Sequence, residues 1–128
     1  RMILNFGHTF AHGFEGAKNF SKKLNHGKAV LLGMMVASEL SNKKKLFSFK
    51  ELSLIKKHYI DLKLPMKISN FFKKNELKKI IYFMKKDKKN LDEKINLVLI
   101  NRIGKVTKPN SIILNSREVK NFLMTQYI

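Results

Sequence analysis

There is no cysteine in the sequence, and that absence closes off several chemistries. Without thiols there is no disulfide framework and no thiolate metal site, so any metal must be held by His, Asp or Glu. Long apolar runs are missing too. The longest, Ala29 to Ala37, is far too short to span a bilayer, and no signal peptide is visible. Arginine is scarce: of 27 basic residues only Arg1, Arg102 and Arg117 are Arg, whereas base readout favours the bidentate guanidinium fork. The formal charge of +18 invites a nucleic-acid reading. Its carriers weaken that reading, because they are lysines spread in twos and threes, as at Lys43-Lys44-Lys45 and Lys78-Lys79. With 12 Asn and 12 Ile beside them, they read as the codon bias of an AT-rich genome laid over a solvated surface. Neither an internal repeat nor a low-complexity linker interrupts the chain.

What is present is enough for one ordinary domain with a real core. The 128 residues are 44% hydrophobic, normal for a globular protein and too high for a disordered one. The expected order is a helix over 2–20, a more buried one over 27–42 and an amphipathic one over 48–62 that stops near Leu64-Pro65. A fourth helix is expected over 74–86, then a polar loop, Asp87-Lys88-Lys89-Asn90. Segments 95–100 and 103–107, flanking Asn101-Arg102, read as a short β-hairpin, and Ser116 as the cap of a last helix to about 126. The fold class is therefore mainly α: a helical bundle with a small β-hairpin near the C-terminus.

The first helix carries the chemistry. Arg1, Asn5, His8, His12 and Glu15 are spaced four, three, four and three apart, a stripe about 80° wide at helical periodicity. Phe6, Phe10 and Phe14 form the opposite, core-facing stripe. A histidine pair at i, i+4 is a weak metal signal alone, since histidines also satisfy cores and cap helices. Its company is what counts: an amide and a guanidinium share the stripe, and lysine, so common elsewhere, is absent from it. His26 opens the second, apolar helix, where its ring can turn towards the first. His58, flanked by Lys56 and Lys57, reads as surface.

Leu4-Asn5-Phe6-Gly7-His8-Thr9-Phe10-Ala11-His12, then Glu15, then His26-Gly27-Lys28-Ala29-Val30 and Gly33-Met34, resembles the 3-dehydroquinate synthase family. Met84-Lys85-Lys86-Asp87-Lys88-Lys89, followed by Leu97-Val98-Leu99 and Ile103-Gly104, extends the resemblance over most of the chain in the right order. The resemblance implies residues 1–128 as the C-terminal metal- and substrate-binding domain of a two-domain enzyme. The expected N-terminal NAD-binding domain is not in this sequence, which starts at Arg1 against a dense motif, and the chain alone is expected to be inactive. The implied reaction converts 3-deoxy-D-arabino-heptulosonate 7-phosphate into 3-dehydroquinate and phosphate, on the shikimate route to chorismate and aromatic amino acids. It uses NAD and a divalent metal, zinc or another such as cobalt. His8 and His26 are implied as metal ligands, with a Glu of the other domain as the third. Arg1, Asn5 and His12 are implied to contact substrate, His12 with a part in proton transfer as well, and Lys88 or Lys89 to meet an anionic group.

Helical spacing alone pairs His8 with His12 on a metal, whereas the resemblance pairs His8 with His26. A small sugar phosphate is the expected partner, with no nucleic acid and no membrane, and a cytoplasmic homodimer is the expected full-length state. The sequence departs from the family pattern at Lys28, usually acidic, which sets a positive charge near the proposed cation site. Ala11 and Gly13 stand where Gly and Ala are usual, and Gly13 weakens a helix by up to ~1 kcal/mol relative to Ala. Two alternatives stand beside this one. One is a related sugar-phosphate cyclase or metal-dependent alcohol dehydrogenase of the same superfamily. The other is a basic helical nucleic-acid-binding module with structural histidines.

Overall fold

The apolar run that is too short for a membrane forms the axis of the domain. In the computed structural model, which describes residues 6–18, 24–85 and 94–127, it lies within α2 (His26–Lys43), whose buried side chains face several directions. A helix apolar on most sides needs neighbours on most sides. α1 (His8–Ala17), α3 (Phe49–Asp61) and a C-terminal strand supply them. Asn25 caps α2, its side chain accepting from Lys28 N at 2.9 Å. Ser48 caps α3 in the same way, accepting from Glu51 N at 3.1 Å. α3 ends before Leu64-Pro65, as expected, and α4 covers Leu77–Met84 behind a 3-10 turn at Lys74–Glu76. No helix among the described residues is long and apolar enough to cross a membrane.

The first helix starts later than the sequence suggests. Phe6 and Gly7 form a turn, and Gly7 takes a left-handed φ of 75°, a conformation that glycine adopts without steric cost. The reason is tertiary. A Cβ on Gly7 would lie 2.7 Å from backbone atoms of Gly33 and Met34, and one on Gly33 would lie 2.6 Å from the Gly7 carbonyl oxygen. α1 and α2 thus cross backbone against backbone, and the described helix begins at His8, one residue after the Gly7 turn. The aromatic stripe is core all the same. Phe6, Phe10 and Phe14 are buried; Phe10 meets Phe122 at 6.4 Å and Phe14 meets Phe72 at 5.5 Å between ring centroids. Each such phenyl contributes about 2–3 kcal/mol by burial. Gly13 has its explanation on the same helix. A Cβ there would fall 2.5 Å from Met84 Cγ and 2.9 Å from the Ile80 carbonyl oxygen, so α1 gives up helix propensity to let α4 approach.

The C-terminal third holds more strand than the single hairpin expected. β1 (Lys94–Leu97) pairs antiparallel with β4 (Ile112–Asn115), while β2 (Ile100–Arg102) pairs with β3 (Lys105–Val106). Segment 95–100 is therefore split between two ladders, and β4 was not anticipated. The hairpin turns at Ile103-Gly104 instead of Asn101-Arg102, which lie in β2; Gly104 supplies the positive φ a tight turn needs. The pairs are tied to the helices by buried hydroxyls. Ser41 Oγ donates to the Ala37 carbonyl and accepts from Ile100 N at 3.0 Å. The last helix, α5 (Ser116–Met124), is capped by Asn115, which accepts from Glu118 N at 2.9 Å. Ser116 is the first helical residue and not the cap.

Candidate functional site

Three histidines stand near helix beginnings along the α1–α2 edge. His8 is the first residue of α1, released by the Gly7 turn, and His12 follows one turn on, both with exposed side chains. They line a cleft of about 490 Å³ whose other walls are Met84 and Lys85 at the end of α4, Asn96 and Leu97 of β1, and Pro109-Asn110 before β4. Thr9 fixes the cleft floor, its hydroxyl donating to the Asn96 carbonyl at 3.1 Å. The Asn96 amide donates to Asn110 Oδ1, while its own Oδ1 is enclosed without a hydrogen-bond partner among the described residues.

His26 lies outside the cleft lining. It is the first residue of α2 and its Nδ1 sits 2.9 Å from Glu15 Oε2. The Gly7–Gly33 contact and the Glu15–His26 pair set α1 and α2 antiparallel, so His26 is nearer in register to His12 than to His8. His8 and Glu15 are separated by about 10 Å of helix rise. The structure thus joins His8 with His12 in one cleft and His26 with Glu15 beside it. Glu15 lay on the polar stripe, but its partnership with His26 depends on tertiary contact and had no signal in spacing. Arg1, Asn5, Lys88 and Lys89 lie outside the described residues. Both flanks of segment 86–93, Lys85 and β1, border the cleft. His58 is exposed on α3, as expected.

Among the described residues no cluster of three or more His, Cys, Asp or Glu gathers as a metal cage. A metal on two of these histidines must complete its coordination from elsewhere. The donor chemistry fits such an ion: imidazole nitrogens without thiolates suit zinc and cobalt, and a carboxylate on His26 Nδ1 leaves its Nε2 available.

The family model described as 3-dehydroquinate synthase C-terminal matches residues 1–90. The chain belongs to that family. The 3-dehydroquinate synthase of Pelagibacter ubique (strain HTCC1062) is 54% identical over 104 residues, covering 81% of this chain and 28% of that protein. The 3-dehydroquinate synthase of Endomicrobium trichonymphae is 38% identical over 129 residues, covering 95% of this chain and 32% of that one. This chain therefore spans about a third of the length of such relatives. The fold also matches the crystal structure of 2-deoxy-scyllo-inosose synthase complexed with carbaglucose-6-phosphate, NAD+ and Co2+. The TM-score is 0.68 at 18% identity, over 94% of this chain and 32% of that one. The mainly helical architecture with small antiparallel pairs is thus the fold of this 3-dehydroquinate synthase C-terminal domain.

Proposed function

We propose that this chain is the metal- and substrate-binding part of a 3-dehydroquinate synthase, acting on 3-deoxy-D-arabino-heptulosonate 7-phosphate with NAD held by a separate nucleotide-binding domain. The observation that carries the reading is the cleft: two imidazoles of one helix, bordered by Asn96 of β1 and by both flanks of a Lys-rich segment, in a chain of this family. His8 and His26 are the proposed metal ligands, with a carboxylate from the nucleotide-binding domain as the third. When bound, the ion supplies Lewis-acid polarisation of substrate hydroxyls, and hydride chemistry belongs to the nicotinamide. His12 stands one turn from His8 on the cleft wall, placed to contact substrate and hold a proton beside it. Arg1 and Asn5 are assigned to substrate hydroxyl or carboxylate groups, and Lys88 or Lys89 to an anionic group. A cytoplasmic homodimer is the proposed full-length state.

A chimera tests the reading directly. The matching third of the Pelagibacter ubique synthase is replaced by this chain, and conversion of the sugar phosphate is followed with NAD and zinc or cobalt. The expected result is turnover. A folded chimera that binds NAD but forms no 3-dehydroquinate overturns the assignment, and conversion of a different polyol phosphate moves it to a related cyclase.

A further inference from the structure

We propose that Glu15 is a positioning residue that holds His26 in a single tautomer, protonated on Nδ1, with Nε2 turned outward as a lone-pair donor. The metal consequence rests on the function proposed above; the tautomer does not. The observation is the 2.9 Å contact between His26 Nδ1 and Glu15 Oε2, joining residues eleven apart across the α1–α2 crossing. An ionised carboxylate accepts hydrogen bonds and cannot donate them, so the nitrogen facing it must carry the proton. A neutral ring then has its one acceptor on Nε2.

The distribution of exposure gives the pair its direction. The Glu15 side chain is 14% exposed and that of His26 is 72% exposed. The carboxylate is the anchored member and the imidazole is the one offered to solvent. An ion pair serving stability alone gains little at such exposure, and this one needs no charge on the ring to form. Both backbones are also held: Glu15 lies within α1, and His26 is the first residue of a helix whose cap, Asn25, is hydrogen-bonded. Among the described residues, His26 is the one histidine within ion-pair distance of a carboxylate. Carboxylate–imidazole pairs of this kind orient metal-ligating histidines and raise their basicity. Glu15 also sets negative charge at a ring that has Lys28 two residues along the chain.

The test uses the intact chain, ring-¹⁵N labelled, at about pH 8.5, well above the ordinary imidazole range. Two-bond and three-bond couplings report which nitrogen of His26 is protonated. The wild type is expected to show the Nδ1–H form, and Glu15→Gln a mixture, because a carboxamide can either accept from or donate to Nδ1. Glu15→Ala is expected to lose the preference altogether, with far-ultraviolet circular dichroism checking the fold of each variant. Zinc affinity, read in the chimera that supplies the third ligand, is expected to fall about 10- to 100-fold in both. A wild-type ring protonated on Nε2, or a folded Glu15→Ala variant that keeps the Nδ1–H form unchanged, overturns the proposal. Unchanged zinc affinity in a variant that has lost the tautomer does so as well. If the tautomer depends on Glu15 but no histidine resonance responds to zinc even in the wild-type chimera, which supplies the third ligand, Glu15 keeps its positioning role and the metal assignment falls.

Discussion

His8 and His12 differ by a single helical turn and share one cleft wall, yet the proposed function gives them different work. A ligand must present a neutral nitrogen to the ion, whereas a proton carrier must keep a nitrogen free beside it. The two roles separate under substitution. In the active chimera, His8→Ala and His26→Ala are each expected to lower bound zinc well below one equivalent and to abolish turnover. His12→Ala is expected to retain the metal and to lose about 10²–10⁴-fold in kcat. His58→Ala, on the exposed face of α3, should change neither. Metal content by atomic emission and steady-state rates read the two effects independently. Loss of zinc in His12→Ala with retention in His26→Ala would instead support the pairing that helical spacing favours.

Crossing geometry decides what each element can present. α1 approaches α2 so closely at Gly7 and Gly33 that no side chain fits between them, and the atoms in the way are backbone. Gly33→Ala is therefore expected to cost about 1–3 kcal/mol by overpacking, seen as a lower urea midpoint at constant m. Gly7→Ala should cost more, since it adds left-handed strain to the same clash. A Gly33→Ala chain with the wild-type midpoint would mean that the crossing relaxes freely. This crossing also shows what could be read from sequence. The Phe stripe, the apolar α2 with its histidine start, the amphipathic α3 and its stop before Pro65 were legible because each is a local pattern. The break at Gly7 was not, because an isolated glycine in a helical pattern is tolerated and only the facing Gly33 forces the turn. Strand β4 was missed for a similar reason: Ile112–Asn115 is four residues long, and its partner β1 lies about fifteen residues upstream. Glu15 was visible on its stripe, but not its hold on His26.

At the scale of the whole molecule, the excess of positive charge does not identify the group that limits stability at high pH. The described lysines are mostly at the surface, where their charge is solvated and adds little to folding. Tyr59 is different. It is buried in α3, its hydroxyl donates to the Leu31 carbonyl of α2 at 2.6 Å, and burial pushes its pKa up to about 12. An unfolded chain would lose that proton near pH 10. Between about pH 10 and 12 the folded state binds more protons than the unfolded state, so stability falls as pH rises through that window. Below it, the contribution is fully present. Tyr127 adds to the same trend, its pKa raised first by burial and then by the nearby Glu76 carboxylate. Tyr59→Phe separates this effect from general alkaline unfolding. At neutral pH it is expected to cost about 1 kcal/mol, because the Leu31 carbonyl loses its side-chain donor. Above pH 10 the difference should shrink and then reverse, since phenylalanine has no proton for the unfolded state to release. Urea midpoints for the two chains, taken at steps from neutral pH to about pH 11, should therefore cross. Parallel curves would place the alkaline weakness elsewhere than the α2–α3 contact.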